Sequence, residues 1–456
     1  MGGGGGGGGG GVMFEFPLCI GNTHSHHREY YSCHSKTVSQ KRNKKIIMAA
    51  TINDTANQGY DRSKEVKQFD DSKIGVKGLI DSGITSIPRI FIHPPETLSD
   101  LKSKRSTRLP DSESNLIPTI DLSGLEDSNR RSAVVDKVGR ACREFGFFQV
   151  VNHGVPLEVL DRTIGGIKGF HELPTEEKMR WYRREMGSGV SFLSNVDLFH
   201  SKAASWRATA SAAKSLFNLI LSRSFNSDSE LHNPPKFSKL HLKERDTLQM
   251  TLGPNLPELE EIPEICRNEL VDWNQCAKQL GEVLMELLCE GLGLNAGKLK
   301  DLTFLDARTM AAHYYPYCPQ PDLTVGIMSH TDPGVLTVLL QDQIGGLQVK
   351  HGEGWVDVKP VPGAIVINVG DIMQILSNDE YKSNEHRVLA NGCHEPRISI
   401  AIFFNPLKRD SLFGPFPELI SPEKPAVYRE FIYTDYIKRF FTKELDGKSL
   451  TNYYKL

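Results

Sequence analysis

The sequence has no excess of charge of either sign and no long apolar run. Lysine and arginine number 54 and aspartate and glutamate 56 in a chain of 456 residues, which gives a formal net charge of −2. Without a global basic field, the chain is not expected to bind nucleic acid or an anionic membrane surface. No stretch approaches the roughly 18 uninterrupted apolar residues that a membrane-spanning helix requires. These absences favour a small molecule as the partner.

Cysteine pairs and nucleotide-binding motifs are also missing. The 8 cysteines are scattered, and no two of them form a Cys-x-x-Cys pair. This spacing suits a reducing compartment, so we expect core or surface thiols in a cytoplasmic, monomeric protein. No GxGxxG follows a predicted strand, and no GxxxxGK[ST] or HExxH motif occurs, which leaves nucleotide-binding and zinc-protease functions without support.

The first 47 residues differ in composition from the rest of the chain. Gly2 to Gly11 is a homopolymer, and a His- and Ser-rich stretch with a basic run follows it. Such a segment cannot bury a core. Met48, followed by two alanines, resembles a second start. We interpret residues 1–47 as an extension upstream of the natural start, with a plastid-type transit peptide as the alternative.

Hydrophobic periodicity divides the remaining chain into a helical part and a β-rich part. Apolar residues recur every three or four positions from about 130 to 145, after Leu157, and from about 264 to 288, which predicts helices there. After residue 302, short β-rich runs are separated by glycine and proline. Many short strands without intervening helices predict a barrel or sandwich rather than a doubly wound sheet. The long helix is expected to pack on it through Leu270, Trp273, Ala277, Leu280, Leu284 and Leu287.

Three residues of the β-rich part carry the side chains that bind iron in non-haem sites. His330 and Asp332 lie two residues apart, which in a strand places both side chains on one face. His386 comes further downstream, at the edge of another predicted strand. Two imidazoles and one carboxylate form the facial triad that leaves open positions on a non-haem Fe(II) for a co-substrate and dioxygen. A His-x-Asp pair alone is a weak signal, because both residues are common in turns.

A second pair follows shortly after His386. In Arg397-Ile398-Ser399, strand alternation places a guanidinium and a hydroxyl on the same face. An inward-facing arginine is costly unless an anion pairs with it. A dicarboxylate that chelates iron at one end and is held by Arg397 and Ser399 at the other would meet this need. The alternative is a surface strand on which Arg397 is solvated.

Together these motifs resemble the plant Fe(II)/2-oxoglutarate-dependent dioxygenases. The stretch from His313 to Pro321, which reads His-Tyr-Tyr-Pro-Tyr-Cys-Pro-Gln-Pro, stands where that family usually carries Asn-Tyr-Tyr-Pro. The resemblance runs from about 117 to 441. It is closest to the branch called 1-aminocyclopropane-1-carboxylate oxidase homologs, which is similar to deacetoxyvindoline 4-hydroxylase.

The resemblance implies a fold, a set of ligands and a reaction. The implied fold is mainly β with flanking helices: a double-stranded β-helix, the jelly roll of cupin-like proteins, behind a helical N-terminal region. The implied iron ligands are His330, Asp332 and His386, and Tyr315 would join Arg397 and Ser399 at the far carboxylate of 2-oxoglutarate. The implied reaction consumes dioxygen and 2-oxoglutarate, with ascorbate as reductant, and releases succinate and carbon dioxide. No side-chain general base is expected.

The resemblance also divides the chain into segments. Residues 1–47 are the low-complexity leader and 48–116 an N-terminal leader segment. The dioxygenase region is expected to comprise 117–207, an insertion at 208–245, the rest of the N-terminal region with the backing helix at 246–302, the jelly roll at 303–406 and a C-terminal helical tail at 407–456.

The insertion is a departure from the family pattern. Family members usually run Trp-Arg-Asp-Thr without interruption, but here Trp206-Arg207 is separated from Asp246-Thr247. Residues 208–245 resemble a translated intron, and a structureless loop of this length is unusual inside a compact domain. We expect deletion of 208–245 to raise both soluble yield and turnover.

Several other residues are predicted to have no role in metal binding or catalysis, and two other functions remain open. Asn152, His153 and Cys318 are predicted to be structural, and His351 and His394 to be solvated. The main hypothesis is hydroxylation of a small plant specialised metabolite. The alternatives are an aminocyclopropanecarboxylate oxidase that uses ascorbate, or a jelly-roll metal-binding protein impaired by the insertion.

Overall fold

A computed structural model describes residues 60–99, 117–182, 189–193, 203–205, 247–442 and 449–456. All of them belong to one compact unit, Gln58–Leu456. The predictions for residues 1–47 and 208–245 fall outside the described residues. No described helix is both long enough and apolar enough to cross a membrane.

Two sheets form the core of this unit. The larger has eight strands in the order β1-β2-β10-β7-β12-β5-β4-β3, and the smaller has four in the order β6-β11-β8-β9. Neighbouring strands are antiparallel except for β1 and β2. The strands are β1 Thr119–Asp121, β2 Phe147–Val151, β3 Val190–Leu193, β4 Thr247–Thr251, β5 Ala307–Tyr315, β6 Val325–His330, β7 Leu336–Gln341, β8 Leu347–His351, β9 Gly354–Asp357, β10 Ile365–Val369, β11 His386–Leu389 and β12 Arg397–Asn405.

Both faces of the larger sheet are covered, which explains why its central strands are apolar along their length. One face meets the smaller sheet in a cluster that joins Phe147 and Val366 to Ile327, Leu347 and Val388. The other face packs against helices. This two-sheet core with flanking helices confirms the predicted jelly-roll fold.

Helices surround the sheets and include the three that periodicity predicts. They are α1 Arg62–Ser72, α2 Gly75–Asp81, α3 Ser128–Glu144, α4 Leu157–Glu172, α5 Thr175–Lys178, α6 Arg267–Gly291, α7 Lys298–Asp301, α8 Asp371–Leu376, α9 Tyr433–Thr442 and α10 Ser449–Tyr453. The predicted packing face of the long helix α6, including Leu270, Trp273 and Leu284, is buried as expected.

The turn between α3 and β2 shows how local chemistry sets an element boundary. The carboxylate of Asp127 caps the start of α3 by accepting hydrogen bonds from the backbone of Asn129 and Arg130. Gly146 ends the connection with a φ of +61°, and a Cβ there would lie 1.9 Å from the carbonyl oxygen of Lys382. Only glycine fits this position, and the chain passes directly into β2.

Two details of the sequence prediction need correction. The β-rich part does contain a helix, α8, whose six residues are all buried. This helix is too short for a helical period to be recognised in the sequence. The segment after residue 406 is not wholly helical, because Leu412–Phe413 (β13) and Phe431–Ile432 (β14) form a small antiparallel sheet. Strands of two residues are too short for periodicity to detect.

Candidate metal centre

His330, Asp332 and His386 lie together at one end of the two sheets. Their potential ligand atoms all lie within 4.8 Å of one another. The Oδ1 atom of Asp332 is 3.8 Å from Nε2 of His330 and 3.6 Å from Nε2 of His386. The two imidazole rings are 4.2 Å apart between centroids. Three donors converge on one point, as the spacing predicts.

Strand pairing brings the two histidines together. β6 ends at His330, β11 begins at His386, and these two residues are register partners in the antiparallel pair. Asp332 differs from the sequence prediction, because β6 stops before it. Its carboxylate reaches the cluster from the loop after the strand, so the loop rather than strand alternation sets its direction.

The tautomer of each histidine is set by a backbone carbonyl. Nδ1 of His330 lies 2.9 Å from the carbonyl oxygen of Met328, and Nδ1 of His386 lies 3.3 Å from that of Asn384. A carbonyl oxygen only accepts hydrogen bonds, so each Nδ1 carries the proton. The Nε2 atoms that face Asp332 are then left with the lone pair a metal needs.

The carboxylate of Asp332 is oriented in the same way. Its Oδ2 atom accepts hydrogen bonds from Thr337 Oγ1 at 2.6 Å and Asn368 Nδ2 at 2.8 Å, so Oδ1 is directed at the histidines. Burial acts to raise the pKa of this carboxyl, but the charge of the two imidazoles when protonated and the two hydrogen bonds outweigh it and hold the pKa below its usual value. The group is therefore an anion suited to a cation.

Arg397 is buried rather than solvated, which excludes the surface-strand alternative. It is 1 % exposed. Its Nε donates to the carbonyl oxygen of Gly345 at 2.6 Å, Nη1 to Ser399 Oγ at 2.9 Å and Nη2 to Gln341 Oε1 at 3.0 Å. None of these acceptors is a carboxylate, and no ion pair joins Arg397 to a described acidic residue. The carboxylate of Asp342 acts on this positive charge from a longer distance, since Arg397 is one of the groups that lower the pKa of Asp342 against the larger effect of its burial.

Tyr315 completes this group. It is the register partner of Arg397 across β5 and β12, and the guanidinium carbon lies 4.9 Å from the centre of its ring. The ring is fully buried, yet its hydroxyl has no hydrogen-bond partner among the residues that the structure describes. A buried hydroxyl without a partner is costly. An anion bound beside Arg397 and Ser399 would satisfy both the hydroxyl and the charge.

Sequence reasoning did not find the residues that support these groups. Thr337, Asn368 and Gln341 lie on β7 and β10 and face the metal cluster or Arg397. Each is a polar residue at a buried position in an otherwise apolar strand, which was the available signal. Nothing local indicated which distant residue each one would meet.

Most of the residues that were predicted to be structural or solvated agree with that prediction. His153 holds a turn through Gly363 O and the backbone of Val155. The Cys318 thiol is packed among apolar residues, and burial raises its pKa to about 12. His394 is exposed. His351 is half-buried and its ring stacks on Phe145 with 4.6 Å between centroids, and the ring of His394 likewise stacks on Tyr317 at 4.7 Å. Both rings are therefore less solvated than the sequence analysis expects.

Comparisons with known families agree with this geometry. Residues 307–406 match the 2OG-Fe(II) oxygenase superfamily, and residues 117–227 match the family described as non-haem dioxygenase in morphine synthesis N-terminal. The crystal structure of JOX2 in complex with 2OG, Fe and JA is similar, with 28 % identity and a TM-score of 0.65 over 84 % of this chain and 97 % of that one. The dioxygenase for auxin oxidation in rice is 25 % identical, with a TM-score of 0.55 over 75 % of this chain and 100 % of that one.

Curated plant proteins are more similar still. 1-Aminocyclopropane-1-carboxylate oxidase homolog 4 of Arabidopsis thaliana is 44 % identical over 398 residues, which cover 87 % of this chain and 99 % of that protein. The 1-aminocyclopropane-1-carboxylate oxidase homolog of Solanum lycopersicum is 41 % identical over 404 residues, 88 % of this chain and 98 % of that protein. The chain therefore belongs to the 2OG-Fe(II) oxygenase superfamily, in the branch of the plant 1-aminocyclopropane-1-carboxylate oxidase homologs.

Proposed function

We propose that this dioxygenase hydroxylates a small plant specialised metabolite, with Fe(II) held by His330, Asp332 and His386 and 2-oxoglutarate held by Arg397, Ser399 and Tyr315. The observation that carries the proposal is the strand that joins the two groups. On β7, Thr337 bonds the carboxylate of Asp332 and Gln341 bonds the guanidinium of Arg397. The two residues are four positions apart on one strand face, about 13 Å at about 3.3 Å per residue.

This separation suits a short dicarboxylate. We propose that a five-carbon diacid spans the two groups, with one end at the metal and one at the guanidinium. An arginine fork, with a serine hydroxyl beside it, recognises a carboxylate in a defined orientation.

The metal cluster fits Fe(II) better than a structural zinc. Two imidazoles and one carboxylate supply three ligands, whereas closed zinc sites take four protein ligands. Fe(II) bound there, with 2-oxoglutarate and dioxygen, would supply the oxidation of a substrate C–H bond. The protein residues then have three tasks: to hold the ligand tautomers, to neutralise the co-substrate and to bury both from water.

The substrate class is supported by the relatives rather than by the metal site. One of the similar structures is a dioxygenase for auxin oxidation. We propose that this chain likewise acts on a small organic molecule, and that hydroxylation is the outcome.

The test is an anaerobic titration of the full chain with Fe(II) and then 2-oxoglutarate. We expect a visible charge-transfer band from the chelated oxoacid, followed by succinate when air is admitted. His386→Ala should abolish both signals, and Arg397→Ala should weaken the band. His394→Ala, which replaces an exposed histidine, is the matched control and should change neither.

Other results would point elsewhere. Turnover of aminocyclopropanecarboxylate with ascorbate and without 2-oxoglutarate would contradict the proposal in favour of the oxidase. Bound iron without a band or succinate would contradict it in favour of an impaired metal-binding protein.

A further inference from the structure

The loop that carries Asp332 is fixed by backbone hydrogen bonds to the start of helix α8. The amide of Asp371 donates to the carbonyl oxygen of Asp332 at 2.8 Å. The amides of Gly370 and Ile372 donate to the carbonyl oxygens of Val335 and Gly334, each at 3.0 Å. The position of Asp332 therefore follows the position of this helix.

The two segments are in direct backbone contact. A Cβ on Gly370 would lie 2.2 Å from the carbonyl oxygen of Gly334 and 3.1 Å from that of Asp332. There is no space for a side chain between this loop and the start of α8. A small displacement of α8 is thus transmitted to the carboxylate ligand, because close-packed backbones do not deform independently.

The side chain of Asp371 adds a second connection. It is completely buried, and its Oδ2 atom accepts hydrogen bonds from Thr331 Oγ1 at 2.9 Å and Tyr436 Oη at 2.6 Å. Thr331 stands between His330 and Asp332 in the chain. Tyr436 belongs to the C-terminal helix α9. One carboxylate oxygen thus joins the metal-binding loop to the C-terminal helix.

Helix α9 reaches the same loop at another point. Tyr433 stacks parallel to Tyr436, with 6.2 Å between ring centroids, and its hydroxyl donates to Asn405 Oδ1 at 3.1 Å. That oxygen would lie 2.9 Å from a Cβ on Gly334, in the loop. The helix therefore lies against the loop through two buried tyrosines.

We propose that Asp371 and Tyr436 are positioning residues for the metal site, so that docking of the C-terminal helix sets how tightly the metal is bound. The proposal rests on the function proposed above, since it takes Asp332 to be a metal ligand. Outer partners that fix the orientation of a ligand raise metal affinity by lowering the cost of assembling the site. Asp371 and Tyr436 act through Thr331 and the loop backbone, and neither is assigned as a metal ligand.

The experiment measures metal affinity separately from activity and from stability. The full chain and its variants are titrated anaerobically with Co(II), whose visible absorption reports ligand geometry, and thermal unfolding is recorded for the same samples. Tyr436→Phe and Thr331→Val remove one hydroxyl each with little change of shape. We expect each to weaken Co(II) binding about three- to tenfold, somewhat less than the loss of a partner that bonds a ligand directly.

Two matched variants separate positioning from general stability. Thr331→Ser keeps the hydroxyl and should bind Co(II) within about twofold of the parent, since it retains the bond to Asp371. Tyr381→Phe removes another buried tyrosine hydroxyl, one that donates to the carbonyl oxygen of Leu288 in the long helix α6 rather than to α8 or α9. It should lower the unfolding temperature and leave Co(II) affinity unchanged.

The outcomes distinguish the two proposals. If Tyr436→Phe and Thr331→Val bind Co(II) as the parent does, or if Tyr381→Phe weakens binding equally, the positioning role is wrong and the metal site stands. If the parent binds no Co(II), or binds it equally well after His386→Ala, the metal site itself is wrong.

Discussion

At the scale of single residues, the site consists of reactive groups and the neighbours that orient them. The sequence predicted His330, Asp332, His386, Arg397 and Ser399 from residue type and spacing. The structure brings the first three together and pairs the last two. Supporting residues such as Thr337 and Asn368 could not be predicted, because their roles depend on pairing between distant strands.

The unpartnered hydroxyl of Tyr315 yields a test that separates binding from stability. Tyr315→Phe removes a buried group that forms no bond within the described structure. The free energy of unfolding of the protein without ligand should stay within about 0.5 kcal/mol or rise, because no hydrogen bond is lost. The affinity for 2-oxoglutarate should fall about tenfold to a hundredfold, the value of a hydrogen bond to a charged group.

The control for this prediction is Tyr428→Phe, whose hydroxyl donates to Asp379 Oδ1 at 2.7 Å. That variant should lose about 1–3 kcal/mol of stability and keep its 2-oxoglutarate affinity. Denaturant unfolding and titration of the charge-transfer band measure the two quantities. Equal 2-oxoglutarate affinity in Tyr315→Phe and the parent would remove Tyr315 from the proposed site.

At the scale of elements, the long helix α6 fixes the strand that carries the anion-binding pair. Gly281 faces Phe404 of β12, and a Cβ on this glycine would lie 2.4 Å from Cζ of the buried phenylalanine ring. The helix was predicted from its periodicity. The sequence could not explain the glycine in the middle of this helix, because only the packed structure shows that the Phe404 ring occupies the space of a side chain.

Gly281→Ala should therefore destabilise the protein although alanine favours helices. Overpacking costs about 1–3 kcal/mol and the gain in helix propensity offsets up to about 1 kcal/mol. Gly165→Ala in α4, where nothing lies within 4 Å of the new Cβ, should instead stabilise by up to about 1 kcal/mol. Urea unfolding of both variants measures the difference, and equal stabilities would contradict the packing argument.

At the scale of the whole molecule, residues 60–99 pack against the jelly roll. Apolar residues of 60–99, including Phe69 and Phe91, form a cluster with Ala204 and Cys318. In the sequence analysis, residues 48–116 were named a leader segment, and none of it was predicted to pack into a core. The domain limits drawn from the sequence, and the effect of deleting 208–245, stay predictions.

His93 makes the packing of this segment sensitive to pH. Burial lowers the pKa of His93 to about 4 from an ordinary value of 6.5, although a hydrogen bond to the backbone of Ala204 opposes the shift. The unfolded chain therefore takes up a proton at higher pH than the folded one. The contribution of His93 to stability is therefore complete above about pH 6.5 and declines as the pH falls toward 4, by about 2 kcal/mol between pH 7 and pH 5.

His93→Gln should reduce this acid loss by about 2 kcal/mol, because glutamine does not titrate. Denaturant unfolding of the parent and the variant at pH 7 and pH 5 provides the measurement. The exposed His394→Gln serves as control and should follow the parent. Burial also lowers the pKa of His171, so part of the acid loss should remain. An unchanged pH dependence in His93→Gln would show that His93 is protonated without opening the packed segment.

The sequence by itself determined the chemistry and the local structure of this protein. Residue types and spacing near His330, His386 and Arg397 indicated a metal and an anion, and periodicity indicated the main helices and strands. Only the tertiary structure decided that Asp332 reaches the cluster from a loop and that Tyr436 bonds Asp371. It also decided that the Tyr315 hydroxyl has no hydrogen-bond partner within the described part of the chain. Short-range patterns reflect which face of an element is buried, whereas contacts between distant segments arise only when the sheets and helices pack.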